Sequence, residues 1–173
     1  DTEAFMDREK SSWRKGYPTL TRLDNRLSSA LNQLAEDVPQ TLINKQRAAI
    51  LKDCLNAAGS PQGLFSLTVP TGGGKTLSSL AFAMKHALKH SLERIIYVIP
   101  YTSIIEQNAA VFRDILGEDA ILEHHSNFEP KEEDHRSRLA SENWDAPLIV
   151  TTNVQFFESL YRSRSSRCRR IHN

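Results

Sequence analysis

Long apolar runs, cysteines and metal-ligand clusters are what this sequence has least of, and each shortage excludes a class of protein. No apolar stretch approaches the roughly 18 residues that a bilayer span needs. The acidic opening Asp1-Thr2-Glu3 lacks the positive charge that starts a secretory leader. No membrane partner is therefore expected. The chain does not open on Met and reads as an excised or processed piece. Two cysteines, Cys54 and Cys168, lie far apart without a Cys-x-x-Cys spacing. They exclude a disulfide framework and a thiolate metal site, and they suit a reducing cytoplasm. His124-His125 and Asp134-His135 are short of a ligand set, because adjacent side chains point apart and no nearby doublet completes the coordination. They read as structural or surface residues. No Ser-His-Asp arrangement in a recognisable context is present.

What is present is ordinary globular composition with an uneven charge. Of 173 residues, 39% are hydrophobic and 25% charged, enough for a domain with a sizeable core. Residues 1–161 hold 17 Lys/Arg against 21 Asp/Glu, and the last twelve hold five Arg and no acid. A body of −4 thus carries a tail of +5. Arg162, Arg164, Arg167, Arg169 and Arg170, interleaved with serines, suit the phosphates of a nucleic acid and equally a solvated connector.

Glycine is scarce too, and three of the seven are consecutive. The apolar, β-prone run Leu64 to Val69 leads into Pro70-Thr71-Gly72-Gly73-Gly74-Lys75-Thr76, after which Leu77, Leu80, Ala81, Met84 and Leu88 recur at helical spacing. The order predicts strand, phosphate-binding loop, helix. Glycines let successive amide N–H groups converge on one oxyanion cluster, Lys75 supplies a point charge for the β/γ-phosphates, and Thr76 offers its hydroxyl to Mg²⁺. Lys75 and Thr76 are accordingly the candidate catalytic residues, with Thr76 the candidate metal ligand. A strict phosphate-loop pattern has Gly five places before Gly74, where this chain has Val69.

Upstream, residues 1–40 carry two weak helical signals, around Ala4 to Met6 and at Leu20, Leu23, Leu27, Leu31 and Leu34. Asp37-Val38-Pro39 breaks the pattern and places a boundary near residue 40, followed by a helix from Thr41 to Ala58. Downstream, Arg94 to Ile99 predicts a buried strand ended by Pro100. Ser103 and Glu106 form a capping box for a helix whose inner face is Ile104, Ile105, Val111, Phe112, Ile115 and Leu116, up to Gly117. Ile121-Leu122 predicts a short strand, Lys131 to Leu139 a solvent-facing helix, Leu148 to Val150 a strand, and Val154 to Leu160 a last helix. Strands alternating with helices define an α/β fold with a mostly parallel sheet.

Two further turns fall at strand ends, where ligands of such sheets sit: Pro100 to Ser103 and Thr151 to Gln155. Their hydroxyl and amide groups suit contacts to a sugar-phosphate backbone, and ordinary helix capping accounts for them equally well. No predicted strand ends in the Asp-Glu pair that anchors Mg²⁺ and places water, so these residues fit binding of a nucleoside triphosphate without the usual means of hydrolysing it.

Taken together, Pro70 to Thr76, Pro100-Tyr101-Thr102-Ser103-Ile104-Ile105-Glu106-Gln107 and Thr151-Thr152-Asn153-Val154-Gln155-Phe156-Phe157-Glu158 resemble the type I CRISPR-associated helicase-nucleases, superfamily 2 DNA helicases joined to an HD nuclease, and are most similar to the subtype I-C branch. The resemblance implies that residues 1–40 are the helical end of the nuclease and a linker. Residues 41–173 would then be a RecA-like first motor domain, incomplete before its Asp-Glu motif. It implies ATP and Mg²⁺ at Pro70, Thr71, Gly72, Gly73, Gly74, Lys75 and Thr76, with Arg47 and Asn44 in a family pattern upstream and Gln46 as the candidate adenine reader. Single-stranded DNA is implied at Pro100, Tyr101, Thr102 and Ser103 and at Thr151, Thr152, Asn153 and Gln155. For the whole protein it implies 3′-to-5′ translocation, a metal-dependent nuclease whose metal ion this chain does not bind, a Cascade-type RNA-guided surveillance complex as partner, and a prokaryotic cytoplasm.

Two rival readings stand beside it. A P-loop kinase or transferase would carry a phosphate-acceptor lid, for which the charged segment 129–142 is the only candidate. A nucleotide-binding adaptor or nucleic-acid-binding module would tolerate a vestigial loop, against which intact Lys75 and Thr76 argue.

Overall fold

The structure is a computed structural model that describes residues 16–125, 144 and 146–161. The expected helices around Ala4 to Met6 and Lys131 to Leu139, the Asp134-His135 pair, the 129–142 segment, Cys168 and the arginine tail lie outside the described residues. The chain divides into two compact units, one from Thr19 to Ile95 and one formed by the residues before Thr19 with those from Ile96 onward.

The first unit is helical. Helix α1, Leu20–Asp37, starts where the Thr19 hydroxyl accepts the Arg22 N–H at 3.3 Å, and it buries Leu20, Leu23 and Leu27, as their spacing predicts. After the break at Pro39, α2, Leu42–Ala57, is capped in the same way by Thr41, whose hydroxyl accepts the Asn44 N–H at 3.3 Å. Helix α3, Lys75–Lys89, buries Leu80, Ala81, Met84 and Ala87 and packs on both α1 and α2. An ion pair of 2.7 Å between Lys85 on α3 and Asp24 on α1 reinforces the first contact. His86 Nδ1 and His90 Nε2 donate to the carbonyls of Ala58 and Ser60 at 3.0 and 2.8 Å, tying α3 to the chain that leaves α2. Cys54 is a buried thiol of α2. Desolvation, with the neighbouring Asp53 charge second, pushes its pKa up.

One expected element is absent from this unit. Leu64 to Val69 forms no strand: Leu64 is fully exposed, and Phe65 and Leu67 are each 39% exposed. A β-prone run becomes a strand only where a neighbour satisfies its N–H and C=O groups, and no described strand pairs with it. Phe65 instead meets the rings of Phe82 and His86 edge-on, with centroids at 4.9 and 5.3 Å.

The second unit is built on a three-stranded parallel sheet of order β1-β3-β2, where β1 is Ile95–Ile99, β2 Ile121–His124 and β3 Leu148–Thr152. Strands β2 and β3 run in register from Ile121 opposite Leu148 to His124 opposite Thr151. Helix α4, Thr102–Leu116, connects β1 to β2 by way of the short turn Glu118–Ala120, and α5, Asn153–Tyr161, follows β3. The inner face of α4 is Ile105, Ala109, Phe112 and Leu116, packed over β2 and β3. Trp144 is fully buried with Leu122, Ala146 and Ile149, flanked by Tyr17, Ile96 and Phe156.

Two local readings are corrected here. Ser103 is not the cap of α4: Tyr101, in extended conformation, holds that position, its carbonyl accepting the amides of Ile104 and Ile105 at 3.2 Å each. Strand β2 runs two residues past Leu122 and carries a buried carboxylate, Glu123.

Phe112 has no exposed surface, whereas Ile104, expected on the inner face, is 40% exposed, because the helix starts at Thr102 and turns Ile105 and Ala109 to the sheet instead. Phe112→Ala is therefore expected to lower unfolding free energy by about 3–5 kcal/mol. Ile104→Ala should cost less than about 1 kcal/mol, and denaturant midpoints of the two variants check the contrast.

Candidate nucleotide and nucleic-acid sites

In the first unit the glycine-rich stretch is a turn locked onto a helix start. The Gly73 N–H donates to the Pro70 carbonyl at 3.1 Å, closing a four-residue turn whose third member, Gly72, has φ of 83°. A side chain at that φ is strained, which is why glycine occupies it. Gly74, with φ of 82°, then enters α3. The first helical bond is Ser78 N–H to the Gly74 carbonyl at 3.1 Å, so the amides of Lys75, Thr76 and Leu77 precede it and face out of the helix start. Such amides, at the positive end of the α3 dipole, favour an anion. The Lys75 side chain is exposed beside them and Thr76 is half-buried.

The middle glycine explains Val69. A Cβ at Gly73 would lie 2.2 Å from Val69 Cγ1 and 3.1 Å from the Pro70 carbonyl oxygen. The two positions interlock: the branched side chain at 69 occupies the space that a side chain at 73 would need.

Arg47, reaching from α2, holds the loop from outside. Its Nε donates to the Gly72 carbonyl at 2.8 Å, and its Nη1 donates to Asn44 Oδ1 at 3.2 Å. Asn44 is in turn fixed by its own Nδ2, which donates to the Pro39 carbonyl at 3.0 Å. A cavity of about 370 Å³, lined by Leu31, Leu34, Gln40, Ala48 and Leu77 among others, opens beside Arg47 and Gly74. Gln46 is exposed on α2 and does not line that cavity. The Arg47 contact spans 25 residues of sequence. No local pattern announces it.

In the second unit the two strand-end turns differ in what they expose. Pro100, Tyr101 and Ser103 are exposed, and Thr102 is half-buried. Asn153 is exposed and Gln155 half-buried, but Thr151 and Thr152 are buried. The Thr151 hydroxyl donates to the His124 carbonyl at 2.8 Å, and the Thr152 hydroxyl accepts the Gln155 N–H at 3.1 Å. These two side chains build the turn, and Asn153 and Gln155 are what it presents. His125, buried, donates through Nε2 to Glu123 at 2.8 Å, and the His124 ring lies edge-on to Trp144 at 5.8 Å. Among the described residues no cluster of His, Cys, Asp or Glu could hold a metal ion, and no helix is long and apolar enough to cross a membrane.

A parallel α/β sheet together with a glycine-rich loop opening a helix defines a P-loop domain of the RecA-like class. The family described as "Type III restriction enzyme, res subunit" matches residues 38–170, and the chain belongs to that family. It is also 31% identical, over 79% of its own length, to the "CRISPR-associated nuclease/helicase Cas3" of Haloferax volcanii. The chain spans 17% of the length of that relative.

The interlock gives a test of the loop. Gly73→Ala forces Val69 aside at a cost of about 1–3 kcal/mol, which should appear as weaker binding of a fluorescent ATP analogue. Adding Val69→Gly should recover part of the loss, and no recovery would show that the two side chains do not compete for that space.

Proposed function

We propose that this chain is part of an ATP-dependent single-stranded DNA translocase, a helicase-nuclease that degrades foreign DNA in CRISPR interference, and that it supplies the ATP phosphate site and part of the DNA track. The observation that carries the reading is the Pro70–Thr76 loop, with two positive-φ glycines, a third glycine interlocked with Val69, and Arg47 on its outer carbonyl. The named relative, a nuclease/helicase, supports the same direction.

The residues fit the nucleotide. The amides of Lys75, Thr76 and Leu77 would meet phosphate oxygens, the Lys75 ammonium would neutralise the β/γ charge, and the Thr76 hydroxyl would take Mg²⁺. Mg²⁺, when bound, supplies charge neutralisation at the phosphates. Gln46, next to Arg47 on α2, is assigned to the adenine edge. Single-stranded DNA would run over Tyr101, Thr102 and Ser103 and over Asn153 and Gln155, whose polar groups serve a sugar-phosphate backbone without reading bases. At the level of the whole protein, the reading includes an HD nuclease with its own metal ion, a Cascade-type RNA-guided surveillance complex as partner, and a prokaryotic cytoplasm.

The experiment is DNA-stimulated ATP hydrolysis by the full-length protein. Lys75→Ala is expected to lower it by about 10²-fold or more, as for loss of a charge-stabilising donor. Ser103→Ala combined with Asn153→Ala should raise the DNA concentration for half-maximal stimulation while leaving ATP affinity in place. Hydrolysis that survives Lys75→Ala would overturn the ATP assignment, and stimulation unchanged by the paired variant would overturn the DNA assignment.

A further inference from the structure

The sheet unit contains a charged cluster that the readings above leave unused. Glu123, in the middle of a strand, has a side chain only 6% exposed. One of its carboxylate oxygens accepts from Arg113 Nη2 on α4, and the other accepts from His125 Nε2 at 2.8 Å, with the His125 side chain 3% exposed. Arg113 also reaches Glu118 through Nε at 3.2 Å. A buried carboxylate of this kind is a poor source of stability compared with apolar groups of equal volume, and what it does supply is a defined geometry.

The elements that it joins are the ones that carry the two strand-end turns. Ser103 lies in the first turn of α4, ten residues before Arg113 on the same rigid helix. Glu123 lies on β2, whose last carbonyl, that of His124, accepts the Thr151 hydroxyl at 2.8 Å. Thr152 then caps α5, where Asn153 and Gln155 stand. The buried face of α4, which packs on the sheet, is the apolar row Ile105, Ala109, Phe112 and Leu116. Apolar packing is non-directional and resists sliding of a helix along its axis less than a guanidinium held between two carboxylates does.

We propose that Arg113, Glu123 and His125 are positioning residues that hold the Tyr101–Ser103 turn and the Asn153–Gln155 turn at one spacing, so that both engage a single nucleic-acid strand. The proposal rests on the DNA reading of those turns.

The test is a double-mutant cycle in the full-length protein, read by anisotropy of a fluorescent oligo-dT. Glu123→Gln and, as the milder change, Arg113→Lys are each combined with Ser103→Ala/Asn153→Ala, and thermal melting confirms that each variant is folded. With the spacing lost, one turn no longer reinforces the other. Each change alone should therefore weaken binding, and the combined loss should fall short of the product of the separate losses by at least about threefold. Arg113→Lys, which keeps the charge and loses the planar group that reaches Glu123 and Glu118 together, should reproduce this shortfall in weaker form even where Glu123→Gln does not fold. Losses that multiply fully in both cycles would overturn the proposal, because a merely structural role weakens binding independently of the turn contacts. No loss from Ser103→Ala/Asn153→Ala alone would instead overturn the DNA reading, and the proposal with it.

Discussion

A backbone constraint of a few residues governs the candidate nucleotide site. The turn from Pro70 to Gly73 and the entry into α3 both need positive φ, at Gly72 and Gly74, and only glycine adopts it without strain. Once the turn is made, α3 begins at Lys75, with its first-turn amides and the Lys75 and Thr76 side chains at the same end. The loop does not stand alone. Arg47 grips the Gly72 carbonyl, Asn44 orients Arg47, and the Pro39 carbonyl orients Asn44. The break at Pro39 thus has a role beyond separating two helices.

The sheet unit applies a different rule to its own ends. Thr151 and Thr152 face inward and spend their hydroxyls on the backbone, at His124 and at Gln155, so that their turn presents Asn153 and Gln155. Motif residues of this type are often read as contacts. Here Thr151 and Thr152 are braces for the neighbours that remain exposed.

What the sequence announced and what it hid divide along the range of the interaction. Local signals carried the helices, because the spacing of Leu20, Leu23 and Leu27 acts within a few turns. The same holds for the glycine loop and for the three strands of the sheet, whose β-branched runs and bounding turns lie in short windows. Long-range facts were not legible. Nothing near Arg47 marks its bond to Gly72, and nothing in Ile121-Leu122-Glu123-His124 says that the acid is buried against Arg113. Leu64 to Val69 misleads for the complementary reason, since β propensity describes a segment while a strand requires a neighbour. The supposed capping box failed on a finer point: Tyr101 could serve as cap through its backbone alone, which moved the helix start ahead of Ser103.

The central claim is that the loop is a nucleotide site braced from outside by Arg47. Isothermal titration of the full-length protein with Mg-ATP, comparing the native residue with Arg47→Ala, tests it most directly. Affinity is expected to fall by about tenfold, the effect of removing a charged donor from a carbonyl that shapes the loop. Equal affinity in the two proteins would contradict it.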